Sequence, residues 1–145
     1  MADRHGSAQE MDPHRSHDES VARVRRKVFD RIAQQSTGRH LTVRAGPDGW
    51  VPLLEGIRCK VLRDEGAVLS CLLLLAPGAI LPTHRHRIDE ECIVLDGELR
   101  IGDSLVVHAG DYHIGRAGVL HAPITTARGA LVFLHGAPRC ASDFI

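Results

Sequence analysis

The sequence is poor in aromatic residues: one tryptophan, one tyrosine and three phenylalanines, 3% of 145 residues. A core must therefore be built from Val, Leu, Ile and Ala, and little material exists for the ring platforms on which single-stranded nucleic acids stack. Net charge is absent too, since 18 Lys and Arg balance 18 Asp and Glu. Without a basic excess, neither a nucleic acid nor an anionic membrane surface is an expected partner. No run of about 18 apolar residues occurs, which excludes an evident membrane-spanning helix. The first twenty residues, MADRHGSAQEMDPHRSHDES, are polar and lack the apolar stretch of a signal peptide. Paired cysteines are also missing. Cys59, Cys71, Cys92 and Cys140 stand far apart with no Cys-x-x-Cys, which reads as reduced thiols in a cytoplasmic protein.

What is present is a single domain's length, a hydrophobic fraction of 43% and ten histidines. Residues 1–15 show no apolar periodicity and read as a disordered polar tail. A helix is expected over 16–36. Ser16 and Glu19 form a capping box, and Val21, Val24, Val28 and Ile32 recur at helical spacing. Its basic residues, Arg23, Arg25, Arg26, Lys27 and Arg31, read as a solvated face. From Leu41 the pattern becomes short β-like runs separated by Gly, Pro and Asp, including turn signals at Pro77-Gly78, Asp96-Gly97 and Gly110-Asp111. Many short strands and no βαβ alternation predict an all-β sandwich or barrel over 40–138, with 139–145 as a C-terminal tail.

Five histidines, His84, His86, His108, His113 and His121, fall within 38 residues. Within Pro82-Thr83-His84-Arg85-His86-Arg87-Ile88-Asp89-Glu90-Glu91-Cys92, strand parity puts His84 and His86 on one face. Glu90, Cys92 and Val94 share a face, and Glu91, Ile93 and Leu95 share the other. A cation is a good reason to keep a carboxylate buried between apolar neighbours.

Gly78, His84, His86, Glu90 and Gly97 fit G-x5-H-x-H-x3-E-x6-G, the first motif of the cupin superfamily. Gly110, Gly118 and His121 match three positions of the second motif, with Arg116 in place of its proline and Thr125 in place of its asparagine. Over residues 41–136, Gly49-Trp50, Lys60-Val61-Leu62, Ala76-Pro77-Gly78-Ala79, Glu90–Gly97, Gly110–His113 and Gly129–Leu134 resemble the ChrR-like cupin family. That family includes the C-terminal domain of zinc-binding anti-sigma factors and some metal-dependent dioxygenases. The resemblance implies a single-domain cupin (a double-stranded β-helix or jelly-roll barrel) holding a metal through His84, His86, Glu90 and His121, and it implies a homodimer. Zinc is the first choice of metal, with iron, nickel or manganese as alternatives.

Around that set, His113 reads as a donor to a metal ligand, a pocket acid or base, or a strand-surface residue, and Tyr112 as a residue near the metal or a core filler. Cys92 reads as a redox-sensitive thiol or a small buried hydrophobe. Arg116 reads as an anion-attracting group at the pocket mouth or as surface decoration. The anti-sigma relatives grip their sigma factor with an N-terminal His/Cys zinc domain. No cysteine precedes Cys59 here, so direct sigma-factor binding is not expected. Three functions follow as expectations: a regulatory or sensor cupin answering to a small molecule or oxidant, a dioxygenase acting on a chelating substrate such as a β-diketone, or a structural metal site.

Overall fold

The computed structural model describes residues 36–37 and 40–139, and every regular element among them is a β-strand. The chain divides into two compact units, residues 1–42 and 43–145. In the first, β1 (Ser36–Thr37) pairs antiparallel with β2 (His40–Leu41). The helix expected over 16–36 lies outside the described residues except for Ser36, which belongs to β1, and the 1–15 tail and Cys140 also lie outside them.

The second unit is an all-β barrel. Its strands are β3 (Trp50–Leu54), β4 (Ile57–Asp64), β5 (Leu69–Leu75), β6 (Ile80–Leu81), β7 (His84–Arg85), β8 (Glu90–Ile101), β9 (Leu105–His108), β10 (Tyr112–Gly115), β11 (Leu120–His121), β12 (Ile124–Thr125) and β13 (Ala130–Gly136). Pairing runs β3-β4-β5-β13-β8-β12-β6, with β9 and β10 also on β8, and β7 pairs with β11. The central strand β8 was expected as two strands broken at Asp96-Gly97. Instead it runs on through twelve residues. Gly97, at φ 77°, stays paired with Ala130 instead of turning the chain, and the register with β13 shifts just before it, where Leu95 is the extra residue of a bulge. A Cβ there would lie 2.2 Å from the Gly129 carbonyl oxygen, so only glycine lets the two strands approach. Beyond Gly97, β8 leaves β13 and takes β9 and β12 as partners.

Period-two alternation fills the interior in layers. Cys59, Leu73, Val132 and Val94 lie side by side across β4, β5, β13 and β8, and all are buried. The next row holds Val61, Cys71, Leu134, Cys92 and, on β10, His113. Such rows exclude water, and each well-buried aliphatic side chain contributes about 1.5–3 kcal/mol. The layer above changes character. There Glu90 is paired with Gly115, and Gly136 packs against it, so the apolar filling gives way to one carboxylate flanked by glycines. The outer face is apolar as well: Leu74, Ile93 and Leu95 are exposed, and Leu72, Leu131 and Phe133 stand half-buried beside them in register.

Candidate metal centre

The site is assembled by short pairings that bring distant residues together. Antiparallel pairing of β7 with β11 sets His121 directly opposite His84, and a bridge from His86 to Ala117 extends the contact. Between His86 and Glu90 the chain turns on Asp89, which accepts from the Ala117 amide at 2.8 Å and from Arg116 Nη1 at 2.7 Å. These two contacts, the amide first, hold the Asp89 carboxyl below its ordinary value. The turn returns Glu90 to the same end of the barrel as the two histidines.

His84, His86 and Glu90 are all buried, and each offers a donor atom such that the three lie within 4.8 Å of one another. His121 stacks on His84 with ring centroids 4.9 Å apart and stands edge-on to His86 at 5.4 Å. His84 Nδ1 lies 2.8 Å from the Pro82 carbonyl, and His121 Nδ1 lies 2.8 Å from that of Ala122. A carbonyl only accepts, so both Nδ1 atoms carry the proton and both Nε2 atoms keep the lone pair a cation requires. His121 Nε2 meets His113 Nε2 at 3.1 Å, so in this state the His113 N–H donates to it. Burial, aided by His84, Arg139, His121 and His113, pushes His86 down to about 4, and burial likewise lowers His113. A neutral imidazole is the form that binds metal.

This donor set fits a divalent transition ion: uncharged imidazoles, one carboxylate, and tautomers fixed by carbonyls. Gly115 fits it too, because a Cβ there would lie 2.4 Å from His86 Nε2 and fill the space beside the donors. The lowered His86 value carries a sign for stability. As pH falls from about 6.5 towards 4, the unfolded chain takes up a proton that the folded one refuses. The metal-free protein is therefore expected to lose about 3 kcal/mol over that window and to hold it above pH 6.5. Urea melts of chelator-treated protein at several pH values check this, and a flat profile contradicts it.

Residues 38–138 match the sequence profile of the ChrR cupin-like domain. The chain belongs to the ChrR cupin-like family. Its fold is similar to an acetylacetone dioxygenase from Acinetobacter johnsonii (TM-score 0.61, 16% identity, 70% of this chain and 76% of that one). It is also similar to a chain in the complex of Rhodobacter sphaeroides SigE with the anti-sigma ChrR (TM-score 0.54, 27% identity, 60% of this chain). There the match spans 47% of the other chain. KdgF from Halomonas sp. shares the fold at TM-score 0.54 and 17% identity, over 62% of this chain and 86% of that one. No curated protein is a significant match.

Within this ChrR cupin-like barrel the other expected site residues separate. His113 lines the cavity with His86, Glu90 and His121. Cys92 lines it too, but burial and the Glu90 charge push its thiol up to about 12, so it stays protonated and behaves as a small hydrophobe. Tyr112, expected in the core or near the metal, is instead 55% exposed on the outer face. Its register partner is Ile93, on the outward parity of β8, and its hydroxyl donates to Glu91 at 2.8 Å. Arg116 is spent on the Asp89 turn and does not line the cavity. His108 lies on the surface near Glu98 and Asp111.

Sequence reasoning missed Arg139, which it placed in a C-terminal tail. The Arg139 side chain is only 11% exposed, lines the same cavity, and its Nη2 sits 2.5 Å from Glu90 Oε1. No spacing rule could have found it, because it follows the last strand and belongs to neither cupin motif.

Proposed function

We propose that this chain is a metal-binding regulatory cupin, which holds a divalent transition ion, zinc first, through His84, His86, Glu90 and His121. The observation that carries the reading is the cluster of buried donors around His84, with its neutral His86 and lone pairs set by carbonyls. Bound there, the metal would supply a Lewis-acidic centre with a position open to a small ligand. The chain's own residues orient the donors, exclude water through the aliphatic layers below, and place His113 against His121. The cavity at the donors has about 30 Å³ of room for solvent, which suits a water or a very small ligand better than a diketone substrate. That size favours sensing over turnover. The outer apolar face around Leu74, Ile93 and Leu95 supports a homodimer, which sedimentation velocity of the full chain tests.

Elemental analysis of the purified protein should find about one metal ion per chain, and His84→Ala should lose it. Equal metal in wild type and variant removes the site. Oxygen uptake by the iron- or nickel-loaded protein on adding acetylacetone would transfer the reading to a dioxygenase.

A further inference from the structure

The Arg139–Glu90 pair is costly to build. Both side chains are about nine-tenths buried, and two charges taken from water lose several kcal/mol of hydration each. The surroundings are arranged to permit it. Gly136 leaves room beside Glu90, where a Cβ would come within 2.8 Å of Glu90 Cγ. Arg87 hydrogen-bonds the Pro138 carbonyl and so fastens the segment that carries Arg139 to the turn after β7. The guanidinium therefore stands at the donor cluster, on the cavity that His86, His113 and His121 also line.

In the state described, Arg139 and Glu90 neutralise each other. A divalent ion that engages Glu90 adds two positive charges and leaves the guanidinium beside it, for a net charge of about +2 in a low-dielectric interior. One monovalent anion relieves both at once, with one oxygen towards the metal and a planar edge against the arginine fork. A carboxylate has that planar two-oxygen edge and matches guanidinium geometry. The small cavity, about 30 Å³, restricts it to the smallest carboxylates, of which acetate serves as the probe.

We propose that Arg139 is the anion-recognising residue of this site, and that metal binding at Glu90 turns it from the partner of Glu90 into a receptor for a small monocarboxylate. The proposal rests on the metal site above and names the ligand class to which a regulatory cupin of this construction answers. Metal and carboxylate then bind with positive coupling, and by linkage each raises the affinity of the other by the same factor.

The test measures zinc affinity of the full chain by competition with a chromophoric chelator, in chloride and in acetate at equal ionic strength. Acetate should tighten zinc binding to the wild type about tenfold. Arg139→Gln should bind zinc more tightly than wild type in chloride, because the competing cation is gone, and should show no acetate effect. Arg139→Lys keeps the charge but not the fork. It should match wild type in chloride and lose most of the acetate effect, which keeps the proposal testable if the glutamine variant fails to fold. In the cobalt-loaded protein, acetate should shift the visible spectrum of wild type and not of Arg139→Gln. An acetate effect absent from wild type, or equal in wild type and Arg139 variants, overturns the proposal while leaving the metal site standing. Failure of the wild type to bind zinc or cobalt overturns the metal reading itself, and the proposal with it.

Discussion

Glu90→Gln is expected to destabilise the metal-free protein by about 3–5 kcal/mol, the usual cost of stripping one partner from a buried ion pair. The amide keeps the shape of the carboxylate but not its charge, so Arg139 would remain buried at 11% exposure beside a neutral group. Its only relief would be to swing out, pulling the Pro138 segment from the turn it shares with Arg87. Urea denaturation reads the loss directly. The companion measurement is the double variant Glu90→Gln/Arg139→Gln, in which neither charge remains to be buried. It should recover most of the stability, because two neutral amides can be satisfied at far lower cost. A single-variant loss below about 1 kcal/mol, with strict additivity in the double, would mean that the pair is not coupled in solution.

Gly115→Ala is expected to lower metal affinity by about 10–100-fold, the range seen when residues supporting metal ligands are altered. The backbone at Gly115 is not in the left-handed region, so alanine meets no torsional penalty there. The obstacle is space. The new methyl would lie 2.4 Å from His86 Nε2, 2.6 Å from its Cδ2 and 3.2 Å from His121 Cδ2. The His86 ring cannot retreat freely, because it packs edge-on against His84 at 4.7 Å and His121 at 5.4 Å. Overpacking of this kind also costs about 1–3 kcal/mol of stability, so zinc competition and urea melts should be run together. A variant with unchanged zinc affinity and lowered stability would show that the methyl displaces β10 rather than the imidazole.

Much of this molecule could be read from its residues because the relevant rules are local. Alternation with period two grouped Glu90, Cys92 and Val94 on one face and Glu91, Ile93 and Leu95 on the other, and motif spacing took the first as inward, as they stand. The same parity put His84 and His86 on one face, and both are buried. Motif spacing pointed to His121, although the reason it arrives is a cross-strand pairing with His84 that no local rule contains. Other elements were misread where one local signal serves two geometries. Asp96-Gly97 is a turn signal in isolation, yet a left-handed glycine can also stand within a strand, and here Gly97 pairs with Ala130 in a close approach that a Cβ would block. Tyr112 was misplaced because the parity of a strand can be counted along its own residues, but the face it starts on is set by its register with β8.

The sequence alone determined the all-β class, the aliphatic core, the family and which residues around Glu90 share a face, since each follows from residue type and spacing along one chain. Only the tertiary structure decided that Arg139 neutralises Glu90, that His113 donates to His121, and that Gly115 and Gly136 leave room for the site. Those are contacts across as many as 49 residues of chain, created by barrel closure, and their physics lies in who becomes whose neighbour once water is excluded.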